Sequence, residues 1–402
     1  MAVISTRASK PPGRAVVVTA IGITQIFAWG SSYYLPAVLA KPIATETGWP
    51  FAWVIGGLSL GLLLAGFVSP LVGRAIGRAG GRSVLAASAV LLASGLLVLA
   101  SARSLPVYLA AWLVIGLGMG AGLYDPAFAT LGRLYGQAAR PAITAVTLFG
   151  GFASTVCWPL TAVLEARLGW RGTCVAYALI QLLLALPVHL LALPREAPAK
   201  PGELSEARAA TDAPSPVHPG KVIFMLLATV ITLSSVLSSV LSVHLLTLLQ
   251  ARGIELATAV ALGAMVGPSQ VGARTIEMLV ARFHHPIWTK LTSTSLVALG
   301  ILLLWAGFPV LSLPLILYGA GIGLESIARG TLPLAVFGPA QYPVMMGRIA
   351  RPSLMAQAAA PTVAALIVDA VGFDGMLVAL VAIAIGNVLL SILLFSLLRP
   401  WR

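Results

Sequence analysis

The run Leu313–Val336, LPLILYGAGIGLESIARGTLPLAV, is almost wholly apolar, yet it places Glu325 and Arg329 one helical turn apart. A helix of this length spans a bilayer hydrocarbon core of roughly 30 Å. Comparable apolar stretches recur along the whole chain, and they decide what solvent surrounds this one. Of the 402 residues 59% are hydrophobic and only 9% are charged, with a mean hydropathy of +0.98. A soluble domain of ordinary usage carries about 25% charged residues, so this chain cannot build a water-facing surface. Within lipid the backbone must satisfy its own hydrogen bonds, which leaves helices or closed barrels. The segments are too long and too continuous for the alternating pattern of barrel strands. The expected fold is an all-α polytopic membrane protein.

Reading outward from 313–336, spans are expected near 15–40, 50–72, 83–102, 106–131, 142–164 and 172–193. A second set follows near 222–249, 257–280, 287–308, 313–336, 353–371 and 375–398, giving twelve. The first span is too long for a signal-peptide core and lacks a clear cleavage site, so it is read as mature structure. Between the sets lies a stretch rich in Pro, Ala and charge that cannot bury enough apolar area to fold. The expected organisation is a six-helix bundle over 1–193, a cytoplasmic linker over 194–221 and a second six-helix bundle over 222–402.

The net charge of +13 is an orientation device and does not point to nucleic acid. Arg7, Lys10 and Arg14 precede span one, Arg74, Arg78 and Arg82 follow span two, and Arg282 and Lys290 flank the junction of spans eight and nine. The side they share carries most of the basic residues, which by the positive-inside bias sets both termini in the cytoplasm of a bacterial-type inner membrane. Cys157 and Cys174 make neither a disulfide framework nor a metal-ligand set, and no cofactor is called for. The five histidines form no His-Glu-x-x-His pattern, and no Gly-x-Ser-x-Gly elbow or Walker motif is present, so an enzyme is not expected.

The halves also resemble one another. GLGMG (Gly116–Gly120) in span four matches GAGIG (Gly319–Gly323) in span ten, and Arg140-Pro141 opens span five as Arg351-Pro352 opens span eleven. Repeats of this kind mark carriers that rock one half against the other around a midplane site, rather than fixed pores.

With a central linker and GRAIGRAGGR (Gly73–Arg82) between spans two and three, the chain resembles the major facilitator superfamily over essentially its whole length. Gly73, Arg78, Gly80 and Arg82 fit that superfamily's conformational loop, but its Asp position is Gly77, and Trp112 stands where an intramembrane Arg is often found. Within the superfamily the likeness is to bacterial relatives of the monocarboxylate and oxalate/formate transporters. It is carried by GWPFAWVIGGLSLGLLLAGFVSPLVGR entering span two, GLYDPAFATLGRLYG (Gly122–Gly136), GWR (Gly169–Arg171) and GPSQVGAR (Gly267–Arg274). The resemblance implies that Arg274 binds a substrate carboxylate. Gln270 replaces an Asp common one turn earlier, and Ala37 lies near the position of a span-one Lys that some members carry.

Charged residues deep in a membrane helix are costly unless paired or hydrated, so Asp125, Arg274, Glu277, Glu325 and Arg329 should face the bundle interior. Gln270, Arg274 and Glu277 share a face of span eight, which leaves Arg274 either a carboxylate clamp or one half of a structural bridge to Glu277. Glu325 and Arg329 are spaced for an i, i+4 contact, and with Arg274 they form a reasonable network that could serve as gate, proton site or clamp. Asp125, followed by Pro126, reads as a cap or as a proton-coupling group. In span one Gln25, Trp29 and Ser32 share a face, with Tyr33 and Tyr34 just beyond. Thr147, Gly151, Ser154 and Trp158 line up in span five, and the Ser stripe of span seven reads mostly as packing.

The expected function is secondary active transport of a small anionic, monocarboxylate-like solute by alternating access, coupled to protons, with one chain as the working unit in the lipid bilayer. Substrate-contacting candidates are Arg274, Gln270, Tyr33, Tyr34, Trp29 and Gln25; gating or proton-coupling candidates are Glu325, Arg329, Asp125 and Glu277. The competing reading is proton-driven efflux of a toxic compound, drug or metalloid.

Overall fold

The structure, a computed structural model, describes residues 12–195 and 220–398. The expected linker lies, apart from its ends, outside the described residues, as do Arg7 and Lys10. The described residues are all-α, with 8 continuous helical stretches among them long and apolar enough to cross a membrane. These are Arg14–Thr47, Phe51–Ala79, Gly81–Ser101, Leu105–Ala192, Lys221–Ala251, Leu256–Phe283, Pro286–Trp305 and Ser312–Leu398.

The two longest stretches are folded back on themselves at glycines. Gly136 and Gly169 cut Leu105–Ala192, and Gly338 and Gly372 cut Ser312–Leu398, each with a positive φ that ends one helix and starts the next. With those breaks the chain is compatible with twelve crossings. They are numbered here as one to three for the first three stretches, four to six for 105–135, 140–168 and 170–192, seven to nine for the next three, and ten to twelve for 312–337, 339–371 and 373–398. Large apolar side chains such as Leu183, Leu191, Ile276, Leu366 and Leu389 are exposed all round the molecule, as a lipid-facing surface requires.

The repeat noticed in the glycines is a repeat of packing. Gly116 and Gly120 of span four lie against the backbone of span two at Gly61 and Ala65, while Gly118 between them lies against Leu92 of span three. In span ten Gly319 and Gly323 lie against Val266 and Gln270 of span eight, and Gly321 lies against Ser293 and Val297 of span nine. A Cβ at any of these glycines would collide with the neighbouring helix. Lipid supplies no hydrophobic force between helices, so such close backbone approach is what holds them.

The hydrophobic clusters show where the halves of the chain meet. One cluster draws mainly on spans one to six, around Leu62, Trp112, Ile115 and Tyr177, and a second on spans seven to twelve, around Leu237, Val297, Leu315 and Leu380. A third mixes the two: Ile76, Phe128, Leu131, Ile143 and Val146 pack with Leu334, Tyr342 and Met346. This mixed cluster sits at the end of the molecule where residues 195 and 220 emerge, the linker end. There Gly73 of span two is pressed against Pro343 and Gly347 of span eleven, and Gly132 against Tyr342. The carbonyl of Gly77, where the superfamily's loop has Asp, accepts a hydrogen bond from Arg133. Gly80 makes the turn into span three with φ 84°, and Arg78 and Arg82 flank it. The halves are thus closed upon each other at the linker end and have separate cores towards the other.

Candidate functional site

Span eight brings Arg274 into the seam between the halves. The side chain is buried, 4% exposed, and its guanidinium donates to neutral oxygens. Nη1 reaches the Thr147 carbonyl of span five at 2.8 Å and Nη2 reaches Ser326 Oγ of span ten at 2.9 Å. Longer contacts run to Gln270 Oε1 and the Gly323 carbonyl, both at 3.3 Å. Gly151, one turn beyond Thr147, leaves the space that Nη1 occupies. The span-five face seen in the sequence is therefore what Arg274 meets. Among the described residues no carboxylate forms an ion pair with Arg274, and the bridge to Glu277 is not made.

Glu277 instead belongs to a cluster nearer the linker end. Its Oε1 accepts from Thr289 Oγ1 at 2.7 Å and lies 3.6 Å from Arg140 Nη2, while Oε2 is 3.4 Å from His284 Nε2. Arg140 also donates to the His284 carbonyl at 2.6 Å. Because Arg140 opens span five and the others come from spans eight and nine and the turn between them, this cluster ties the halves together. An open cavity of about 660 Å³ lies beside it, lined in part by Gln137, Arg140, Arg282, His284 and His285. Its lining includes none of the residues around Arg274.

The expected contact between Glu325 and Arg329 does not form. Lys290 Nζ sits 2.6 Å from both carboxylate oxygens of Glu325, is wholly buried and also donates to Ser234 Oγ at 3.0 Å. Ser293 Oγ completes the surroundings of Glu325 at 3.1 Å. Arg329 turns to the other half, where its Nε and Nη2 grip the two oxygens of Asp125 at 2.9 and 2.7 Å. Its Nη1 donates to Ser353 and Ser235. The joint network of Arg274, Glu325 and Arg329 is thus replaced by two separate ion pairs and one arginine held by neutral groups. Each charge takes the opposite charge that a neighbouring helix presents at shorter range, and a fork-to-fork pair gains more than a contact along one helix.

Lys290 is the residue that sequence reasoning missed. It occupies the first turn of span nine and was counted among the linker-side charges. Spans ten and eleven run on past that turn, so Ile287, Thr289 and Lys290 are already interior. The signal was present in Thr289, Ser293 and Thr294, which surround Lys290 with polar groups on an apolar helix.

Outside the ion pairs, span one contributes an aromatic cluster. Trp29 lies 5.3 Å from Tyr33, 6.0 Å from Tyr34 and 4.9 Å from Tyr124, ring centre to ring centre. Gln25 carries the Trp29 indole on its Oε1 at 3.2 Å and anchors through Nε2 to the Gly122 carbonyl at 2.6 Å, so both ends of its amide are engaged. Tyr33 faces span eleven, where its hydroxyl accepts from Gln357 at 3.4 Å. The span-seven stripe does pack: Ser235 meets Ser353 at 2.7 Å and Ser239 donates to the Gln357 carbonyl.

The profile of the Major Facilitator Superfamily matches residues 21–284, well over half of the chain. The protein belongs to the Major Facilitator Superfamily. Members of that superfamily are transporters, not enzymes. Solved structures of similar fold include the human organic anion transporter MFSD10 (TETRAN), with a TM-score of 0.75 and 20% identity over 94% of this chain and 100% of that one. The E. coli fucose:proton symporter FucP gives 0.71 and 13%, covering 95% and 98%. The proton:xylose symporter XylE gives 0.70 and 12%, covering 94% of each chain. At these identities the likeness is one of fold. No curated protein matches the sequence. The superfamily and its integral, multi-pass membrane fold agree with the sequence reading.

Proposed function

We propose that this superfamily member is a secondary active transporter that binds a small organic anion, of monocarboxylate type, at Arg274 between two six-helix bundles, 1–193 and 222–402, joined by the linker 194–221. The observation that carries the reading is the missing counter-charge. Lys290, Arg329 and Arg140 each have a carboxylate partner, whereas Arg274 is buried and, among the described residues, has only neutral acceptors. A buried charge without an opposite charge is costly, and an anionic solute supplies one. Gln270 and the span-one aromatics stand round the same place. The basic excess at the linker end supports a cytoplasmic linker and termini in a bacterial-type inner membrane. The closed linker end is then the inner gate.

Proton coupling rests on the buried pair Lys290–Glu325, whose carboxylate stays 12% exposed. The test is uptake of labelled short monocarboxylates into liposomes under an imposed proton gradient, with and without an ionophore. Concentrative uptake that collapses with the ionophore is expected. Accumulation limited to neutral or cationic solutes overturns the anion reading, and undiminished accumulation after collapse overturns the coupling.

The Arg140–Glu277–His284 cluster is proposed as the lock of the inner gate. Glu277→Gln removes its only carboxylate, and coupling energies of this kind shift a two-state equilibrium on the order of fivefold or more. Val146→Cys, in a cysteine-free background, puts a thiol in the mixed core behind the lock, where Val146 is fully buried. Glu277→Gln should raise maleimide labelling of that thiol by about the same factor. Labelling that stays at the parent level would show that the cluster does not hold the gate.

A further inference from the structure

The aromatic cluster and Arg274 meet at the Thr147 carbonyl, and together they narrow the class of anion. Trp29, Tyr33, Tyr34 and Tyr124 form an unbroken set of ring contacts, extended by Trp158 at 6.1 Å from Tyr34 and by Phe128, stacked on Tyr124 at 5.1 Å. The first four residues are half-buried and Trp158 is 46% exposed, so the cluster is not sealed within a core. Its inner end reaches the surroundings of the cation: the Tyr124 hydroxyl donates to the Thr147 carbonyl at 3.4 Å, the acceptor that Arg274 Nη1 already uses. The wall is also fixed in orientation, since the chain of hydrogen bonds from Trp29 through Gln25 to Gly122 holds the indole in place.

Resting on the anion reading above, we infer that the solute is an aromatic monocarboxylate, its ring against Trp29, Tyr34 and Tyr124 and its carboxylate on Arg274. Aromatic faces and edges recognise a second ring through offset and edge-to-face contacts that a saturated ring of equal size does not reproduce. A site that is mostly aromatic with one convergent charge selects flat bodies with a single charged end. An aliphatic acid such as propionate would satisfy Arg274 but leave the wall uncovered. A neutral aromatic would cover the wall but leave the cation without a counter-charge.

The experiment is calorimetric titration of the purified full-length protein with benzoate, phenylacetate, cyclohexanecarboxylate, propionate and benzyl alcohol. Benzoate or phenylacetate should bind at least about tenfold more tightly than cyclohexanecarboxylate and propionate, and benzyl alcohol should not bind. Tyr34→Leu should erase that preference while carboxylates as a class still bind. A melting curve in detergent equal to the parent's, with propionate still bound, shows that Tyr34→Leu is folded. Cyclohexanecarboxylate binding as tightly as benzoate would overturn the aromatic inference and leave the anion reading standing. Benzyl alcohol binding as tightly as benzoate, or no binding by any of the carboxylates, would overturn both.

Discussion

Arg274→Ala should reduce transport to background while leaving the protein as stable as its parent or more so. That combination separates Arg274 from the other buried charges. Removing one member of an ion pair leaves its partner uncompensated, whereas Arg274 has no ionic partner to abandon. The oxygens it releases are two helical carbonyls, a hydroxyl and an amide, each of which has or can find another donor. Function, by contrast, loses the charge that attracts the anion into a poorly solvated place. Arg274→Lys keeps the charge and loses the planar fork. A carboxylate must then bind through a single ammonium, and the loss of one charge-assisted hydrogen bond should raise KM by about tenfold. The checks are uptake kinetics in liposomes and a melting curve in detergent. A stable Arg274→Lys protein with parental affinity for every transported solute would make Arg274 a structural arginine and remove the basis for the anion site.

The same geometry suggests how binding and rocking are joined. Arg274 lies on one half and donates to the Thr147 carbonyl on the other. Most of its N–H groups are already occupied, so an arriving carboxylate must take over from a neutral acceptor. On the proposed anion reading, Thr147 is the acceptor whose release would free the two halves to move apart, since a carboxylate is the stronger partner for the guanidinium. A ligand shifts a conformational equilibrium only through a difference in its contacts between states, and this exchange provides one.

Much of this was legible in the sequence. Composition dictates a membrane fold, because a chain with 9% charged residues has no other solvent. GLGMG and GAGIG announced equivalent helices, since close helix packing in lipid needs small residues at fixed spacing. Gln270 and Arg274 were read on one face and do touch. What the sequence did not disclose was partnership across helices. The i, i+4 spacing of Glu325 and Arg329 describes neighbours along one cylinder and is silent about Lys290 and Asp125, which arrive from spans nine and four. Lys290 was hidden for a related reason. Its depth depends on how far spans ten and eleven extend beyond span nine, a property of the assembled bundle that no hydropathy window contains.

Lys290 and Glu325 should show the opposite signature to Arg274: large losses of stability from single changes and recovery in the double. Lys290 is wholly buried, and its ammonium depends on Glu325, with Ser234 as a neutral accessory. Glu325→Gln strands that cation, and Lys290→Met strands the carboxylate. Breaking a buried pair in this way typically costs about 3–5 kcal/mol, whereas replacing both members by neutral groups of similar volume is often close to neutral. Each single variant should therefore give poor folded yield and a lowered Tm, and Lys290→Met with Glu325→Gln should return most of both. Transport distinguishes a proton site from a clamp. If Glu325 carries the coupling proton, the double variant keeps exchange of labelled for unlabelled solute across the membrane, because Arg274 and the rocking halves are intact. It loses accumulation driven by a proton gradient. Full gradient-driven accumulation in the stable double variant would show that the pair only holds spans nine and ten together. Single variants with parental yield and Tm would show that the pair contributes nothing to the fold.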